Sequence, residues 1–165
     1  MIFVTVGTHE QQFNRLIEYM DKWAGKHEED VIMQTGFSTY IPTNSHWKKL
    51  FSYKEMQEYI RQARIVITHG GPSSFIAPLQ IGKVPIVVPR KKIYNEHVND
   101  HQGVFCRKIE ERLNNICVVE DVEKLDNVIE NYDEIVHAKK KNSMSNNILF
   151  CENFTRLVDG MFKNN

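Results

Sequence analysis

Two solid apolar runs, Ile65–Thr68 and Pro85–Pro89, flank a segment that opens His-Gly-Gly-Pro-Ser-Ser and continues at helical spacing from Ser73 to Ile81. This strand–turn–helix–strand order constrains the fold more than any other feature of the chain. Neither run alternates apolar with polar residues, so both faces of each strand must be covered. The pattern repeats on either side. Ile2–Val6 is a short β-rich run stopped by Gly7, followed by a helix with Phe13, Leu16, Ile17 and Met20 on one face. Asp30–Thr35 and Trp47–Phe51 read as strands and Tyr53–Gln62 as a helix; later, His97–Arg112 reads as a helix, Ile116–Val119 as a strand and Val122–Val136 as a helix. Strands alternating with helices predict an α/β domain over residues 1–140, with a doubly wound, mainly parallel, Rossmann-like sheet. Ser38–Ser45 and the polar stretch Lys139–Asn147 read as solvated connections. Residues 141–165 are expected to form a linker and an amphipathic helix over Ser143–Phe162, which packs on the domain or docks on a partner.

Composition narrows the function classes. With 21 basic and 21 acidic residues the formal net charge is zero, so the overall field favours neither nucleic acid nor an anionic membrane. Cys106, Cys117 and Cys151 are odd in number and lack metal-ligand spacing, which fits a reducing compartment. The opening carries no basic leader, and no apolar segment approaches the ~20 residues of a membrane span. The expectation is a cytoplasmic chain without a secretory signal.

In open α/β sheets, ligands gather beyond the carboxyl ends of the strands. Three segments there carry chemistry. Gly7 permits a tight turn after the first strand, Thr8 can cap the helix behind it, and His9 follows. In the second segment Gly70 and Gly71 let backbone amides approach an anion, with Pro72 suited to a first helical turn. Ser73, Ser74 and the amides of that turn can donate to phosphate oxygens, with His69 as a further donor. The third, Pro89–Gln102, is dense in hydrogen-bonding side chains suited to sugar hydroxyls, with Arg90 as a cation for phosphate. A ligand-free strand-to-helix corner accounts equally for the glycines, and helix capping for the polar groups. Neither G-x-G-x-x-G nor the Walker pattern occurs, which disfavours a nicotinamide oxidoreductase and a P-loop ATPase. His97 and His101, four apart, can make a zinc pair, but no Glu-x-x-His core accompanies them and two exposed histidines are commoner.

The stretches "IFVTVGTHEQQFNRL" and "SYKEMQEYI", the His-Gly-Gly turn with "GKVPIVVP", and "EHVNDHQ" occur in order along the chain. Together they resemble the C-terminal, donor-binding half of GT-B glycosyltransferases, of the family 28 C-terminal type. The likeness is to stand-alone catalytic subunits of two-component bacterial polysaccharide transferases, whose eukaryotic relatives are the catalytic subunits of the dolichol-linked UDP-GlcNAc transferase. Within that group the chain looks most like the streptococcal capsule galactosyltransferases that extend lipid-linked glucose.

The resemblance implies an inverting transfer of a sugar, galactose by that likeness, from a UDP-sugar to a lipid-linked saccharide in capsular or exopolysaccharide biosynthesis. It implies that His69, Gly70, Gly71, Ser73 and Ser74 hold the donor diphosphate and that Gly7, Thr8 and His9 face the cleft. Glu96 and His97 resemble the acidic–amide pair that contacts the donor sugar, supported by Asn99, Asp100 and Gln102. No obligatory metal is expected: amides, the helix dipole and a cation, Arg90 by sequence position, would meet the charge of departing UDP. His9 is the candidate general base, with a partner residue as the alternative. The chain departs from the pattern at Ala77, where many GT-B enzymes carry a ribose-gripping glutamate. A full GT-B enzyme has two Rossmann-like domains and this chain supplies one. The implied partner is therefore a membrane-associated, acceptor-binding subunit that holds the chain at the inner face of the membrane. The competing expectation is a non-catalytic nucleotide-sugar-binding or regulatory subunit.

Overall fold

The computed structural model describes residues 1–140; the expected linker and tail helix, with Cys151, lie outside the described residues. Six strands, β1 (Ile2–Thr5), β2 (Val31–Gln34), β3 (His46–Lys48), β4 (Ile65–His69), β5 (Ile86–Val88) and β6 (Cys117–Val118), form one sheet in the order β3-β2-β1-β4-β5-β6. Every neighbouring pair is parallel. β1 is the hinge of the order: Ile2 stands opposite Val31 on one side and Ile65 on the other. The helices are α1 (Asn14–Ala24), α2 (Tyr53–Gln62), α3 (Pro72–Gln80), α4 (His101–Leu113), α5 (Leu125–Glu130) and α6 (Tyr132–Lys140).

The solid apolar strands are explained by a core on each face. Ile2, Val4, Ile65, Ile67, Ile86 and Val88 join Leu16, Ile17 and Met20 of α1 and Leu125 and Ile129 of α5. The alternate residues Phe3 and Val66 pack with Ile60 of α2, and Val87 packs with Phe75 of α3 and Cys106 of α4. At ~25 cal/mol per Å² of apolar surface, each such fully buried side chain is worth about 2 kcal/mol, so helices on both faces are an energetic requirement. Ala77 belongs to this packing: it lies against the Phe3/Ile60 cluster.

Three boundaries differ from the sequence reading. α4 begins at His101, not His97, because Asn99 and Asp100 bond to nearby backbone. Asn99 Oδ1 accepts the His101 N–H at 3.3 Å and Asp100 Oδ1 the Lys92 N–H at 2.8 Å, alternatives to the helical ladder. The helix expected over Val122–Val136 is a 3-10 turn, then α5, then α6, broken at Asn131. The break turns Tyr132 into the core, where its hydroxyl donates to Val84 O at 2.6 Å. The strand expected over Trp47–Phe51 is His46–Lys48, exposed throughout on the sheet edge.

The Ser38–Ser45 connection is tied down rather than loosely solvated. Asp21, fully buried on α1, accepts from the Thr43 and Asn44 amides, the Ser45 hydroxyl and the Tyr40 hydroxyl, at 2.8–3.1 Å. Burial alone would raise this carboxyl, but those donors outweigh it and hold it below the ordinary carboxylate value.

Candidate functional site

The strand order reverses between β1 and β4, so α1 and α3 leave the sheet toward opposite faces and their loops part at its carboxyl edge. The loops after β1, β4 and β5 meet there.

His69, at the end of β4, is the spacer between the first two. A Cβ on Gly7, whose φ is +74°, would lie 2.4 Å from His69 Nε2, and one on Gly71 would lie 2.3 Å from its Cε1. Both positions must be glycine while the imidazole stays between them. The Gly71 N–H donates to His69 Nδ1 at 3.1 Å, which places the ring proton on Nε2, 2.8 Å from Ser74 Oγ. Ser74 accepts that proton and keeps its own hydrogen for another acceptor. Burial, then the charges of Arg90, His9 and His97, push His69 down to about 4, so it is neutral near pH 7. The ring is therefore engaged on both nitrogens and shapes the turn, which corrects its reading as a direct phosphate donor.

Arg90 and Glu96 are also corrected. The Arg90 side chain is buried, and its guanidinium donates to the carbonyls of Val6, Gln11, Gln12 and Glu96 at 2.9–3.1 Å. It also stacks over Phe13. Burial pushes it down to about 10 against the raising effect of Glu96, so it stays charged at neutral pH. The Glu96 carboxylate is fully buried, taking Arg15 Nε and Nη2 at 2.9 Å each and the Lys91 N–H at 2.9 Å. These charges brace the β1 and β5 loops from behind. Arg15 of α1 completes the brace by donating to Pro89 O at 3.0 Å. Gln102 is buried too; its Oε1 accepts the Arg90 N–H at 3.2 Å. Thr8 does not cap α1, which starts after Phe13.

The exposed edge carries Thr8, His9, Ser73, Asn99, Asp100 and His101, with His97 half-buried among them. The rings of His9 and His97 lie 5.0 Å apart and those of His97 and His101 4.8 Å apart, so one row of imidazoles spans the β1 and β5 loops. Burial and then the neighbouring charges of His101, His9 and Arg90 lower His97 from its ordinary value. His9 Nδ1 accepts the Gln11 N–H and His97 Nδ1 the Asn99 N–H, which puts their protons on Nε2. As arranged both carry an Nε2–H donor, and His9 Nδ1 is freed only when the exposed bond from the Gln11 N–H is released. Among the described residues no three His, Cys, Asp or Glu side chains are placed to hold one metal ion.

A hollow of about 550 Å³ opens between the Gly70–Pro72 turn and the first two turns of α4. Its surface is mainly apolar, with Val104 and Phe105 on one wall; His101, Gln102 and Lys108 also line it but contribute little polar surface. Sequence reasoning missed Val104, Phe105 and Lys108; their spacing from His101 along the helix was the available signal. A larger groove of about 960 Å³ along α1 holds charges of both signs but none of His69–Ser74. The smaller hollow is the better candidate because it adjoins the strand reversal and the open first turn of α3.

Known proteins agree with this fold. Human UDP-N-acetylglucosamine transferase subunit ALG13 is 33% identical over 107 residues, 58% of this chain and 9% of that protein. The mouse protein of the same name is 30% identical over 109 residues, with the same coverage. This chain thus spans about a tenth of the length of the curated relatives it matches. In fold it is similar to the crystal structure of the glycotransferase of kitacinnamycin, with a TM-score of 0.53 and 15% identity over 86% of this chain and 38% of the other. The glycosyltransferase family 28 C-terminal domain matches residues 1–159, in line with the resemblance carried by the chain's motifs: the chain belongs to that family.

Proposed function

We propose that the chain is the donor-binding, catalytic subunit of an inverting glycosyltransferase that moves a hexose from a UDP-sugar to a lipid-linked saccharide. The observation that carries the reading is the turn Gly70–Ser74. There the Ser73 N–H at the start of α3, the Ser73 hydroxyl and a Ser74 hydroxyl oriented by neutral His69 lie together at the strand reversal of a family 28 domain. The diphosphate sits between this turn and the hollow beside it, and the sugar lies toward His97. An acceptor hydroxyl attacks the anomeric carbon from the side opposite UDP. The new carbon–oxygen bond forms as the bond to the β-phosphate oxygen breaks, UDP leaves with the electron pair, and His9 takes the hydroxyl proton once its Nδ1 has released Gln11. Amides, the helix dipole and imidazole N–H groups meet the charge on UDP without an obligatory metal.

The acceptor is brought by a membrane-associated partner subunit that supplies the second wall of the cleft and holds this chain at the inner face of the membrane. Membership of a C-terminal domain family and the word subunit in the names of both curated relatives support that assembly. For the donor, those names point to UDP-N-acetylglucosamine, and the likeness to capsule enzymes points to UDP-galactose in capsular or exopolysaccharide biosynthesis. Co-expression with the partner and assay of both UDP-sugars on lipid-linked glucose separates them. In that assay His9→Ala lowers kcat by about 10²-fold or more while UDP binding persists. Full transfer by the variant would instead favour a non-catalytic, nucleotide-sugar-binding role.

A further inference from the structure

The three imidazoles in the row are not equivalent, and the difference lies in what each Nδ1 meets. At His9 and His97 it meets a backbone N–H, so a proton added there breaks a hydrogen bond. At His101 it meets Asn99 Oδ1, an acceptor that also takes the His101 backbone N–H at 3.3 Å. An imidazole facing an amide oxygen donates from Nδ1 and keeps a lone pair on Nε2. A proton arriving at Nε2 then gives an imidazolium with its Nδ1–H already satisfied. Of the three rings, His101 is the one that can charge without losing a partner. It is also the one that lines the hollow beside Gly70 and Gly71.

We infer that His101, oriented by Asn99, takes up a proton when a diphosphate enters this hollow, so that an imidazolium stands where Arg90 cannot reach. The inference rests on the reading of the Gly70–Ser74 turn as a phosphate site and adds to it the identity of the cation.

The groups that face His101 fit this behaviour. His97 comes from the preceding loop and Lys108 from α4, with Asp100 the neighbour of His101 in the chain. Arg90 and His9 stand behind His97. Asp100, the carboxylate among them, already accepts the Lys92 N–H. With cations or imidazoles making up the rest, an added positive charge is opposed until an anion arrives to favour it. The proton comes from solvent and returns when the anion leaves.

The test is a proton NMR titration of the histidine Cε1 resonances of the full chain, with and without saturating inorganic pyrophosphate, with His101 assigned by the loss of its signal in His101→Gln. The expected result is that the His101 midpoint rises by about one pH unit with pyrophosphate, while His69 stays unprotonated across the neutral range. Calorimetry in buffers of different ionisation enthalpy then shows about half a proton more taken up at pH 7.5 by the unaltered chain than by His101→Gln. Lys108→Met weakens binding several-fold but keeps the uptake. Pyrophosphate binding with an unmoved His101 resonance, or with equal uptake in His101→Gln, overturns the inference and leaves the phosphate reading standing. No pyrophosphate binding at any pH overturns both.

Discussion

The loop after β5 holds two kinds of polar residue within a few positions of each other. Arg90 and Glu96 are sealed behind it, the two Arg90 Nη atoms matched to carbonyls and the Glu96 carboxylate to Arg15 and the Lys91 amide, while Arg90 Nε is left without a partner. His97, Asn99 and His101 stand at the edge and bond chiefly within their own turn. The composition of the two sets is alike and their energetics are opposite. A buried charge left without its partner costs several kcal/mol, whereas an exposed side chain off the core costs little. Density of polar residues at a strand end therefore marks a site without saying which residues touch the ligand.

The contrast predicts a graded series of stability effects. Arg90→Met should be the most damaging, about 3–5 kcal/mol in urea unfolding, because it leaves the carbonyls of Val6, Gln11, Gln12 and Glu96 without their cation. A loss below 1 kcal/mol would mean that the buried frame is not what holds the loops.

His69 comes next, through pH. Its folded value of about 4 lies below the ordinary 6.5, so between those limits the unfolded chain binds one more proton than the folded chain. Stability is full above about 6.5 and falls with pH across that window, by about 3 kcal/mol in total. In His69→Gln the pH slope of stability over this range should flatten; an unchanged slope would show that His69 is not held neutral.

Smaller still is Gly71→Ala, about 1–3 kcal/mol in the presence of His69 and clearly less in a His69→Ala background, since the imidazole is what the new Cβ meets. Equal costs in the two backgrounds would remove His69 as the spacer. At the bottom of the series, Ser73→Ala at the exposed edge should change stability by under ~0.5 kcal/mol while weakening UDP binding. If it unfolds the chain instead, the distinction between frame and edge fails.

The same contrast explains what was legible in the sequence. The parallel sheet could be read because Ile65, Val66 and Ile67 are all apolar, a pattern that only a two-faced core rewards. The Gly7 and Gly71 turns could be read because glycine leaves few alternatives. Burial of Arg90 and Glu96 could not, since it depends on Val6, Gln12 and Arg15, remote in sequence. The start of α4 was set by side-chain bonds of Asn99 and Asp100 that compete with the helix, and the break at Asn131 by the reach of Tyr132 to Val84. Val104 and Phe105 lie within a helix that the sequence predicts, and only the neighbouring Gly70–Pro72 turn makes them a wall.

Asp21 carries a consequence for the order in which the molecule opens. A single carboxylate closes the connection between β2 and β3, and its folded affinity for protons is weaker than an ordinary carboxyl's. The clamp holds above the ordinary carboxylate range and is lost as pH falls through the lowered folded value. In hydrogen-exchange terms, the Thr43 and Asn44 amides belong to a unit that is released in acid as a local event, ahead of the β1–β4 centre. That makes the connection a separately addressable layer of stability, set by one proton rather than by the core.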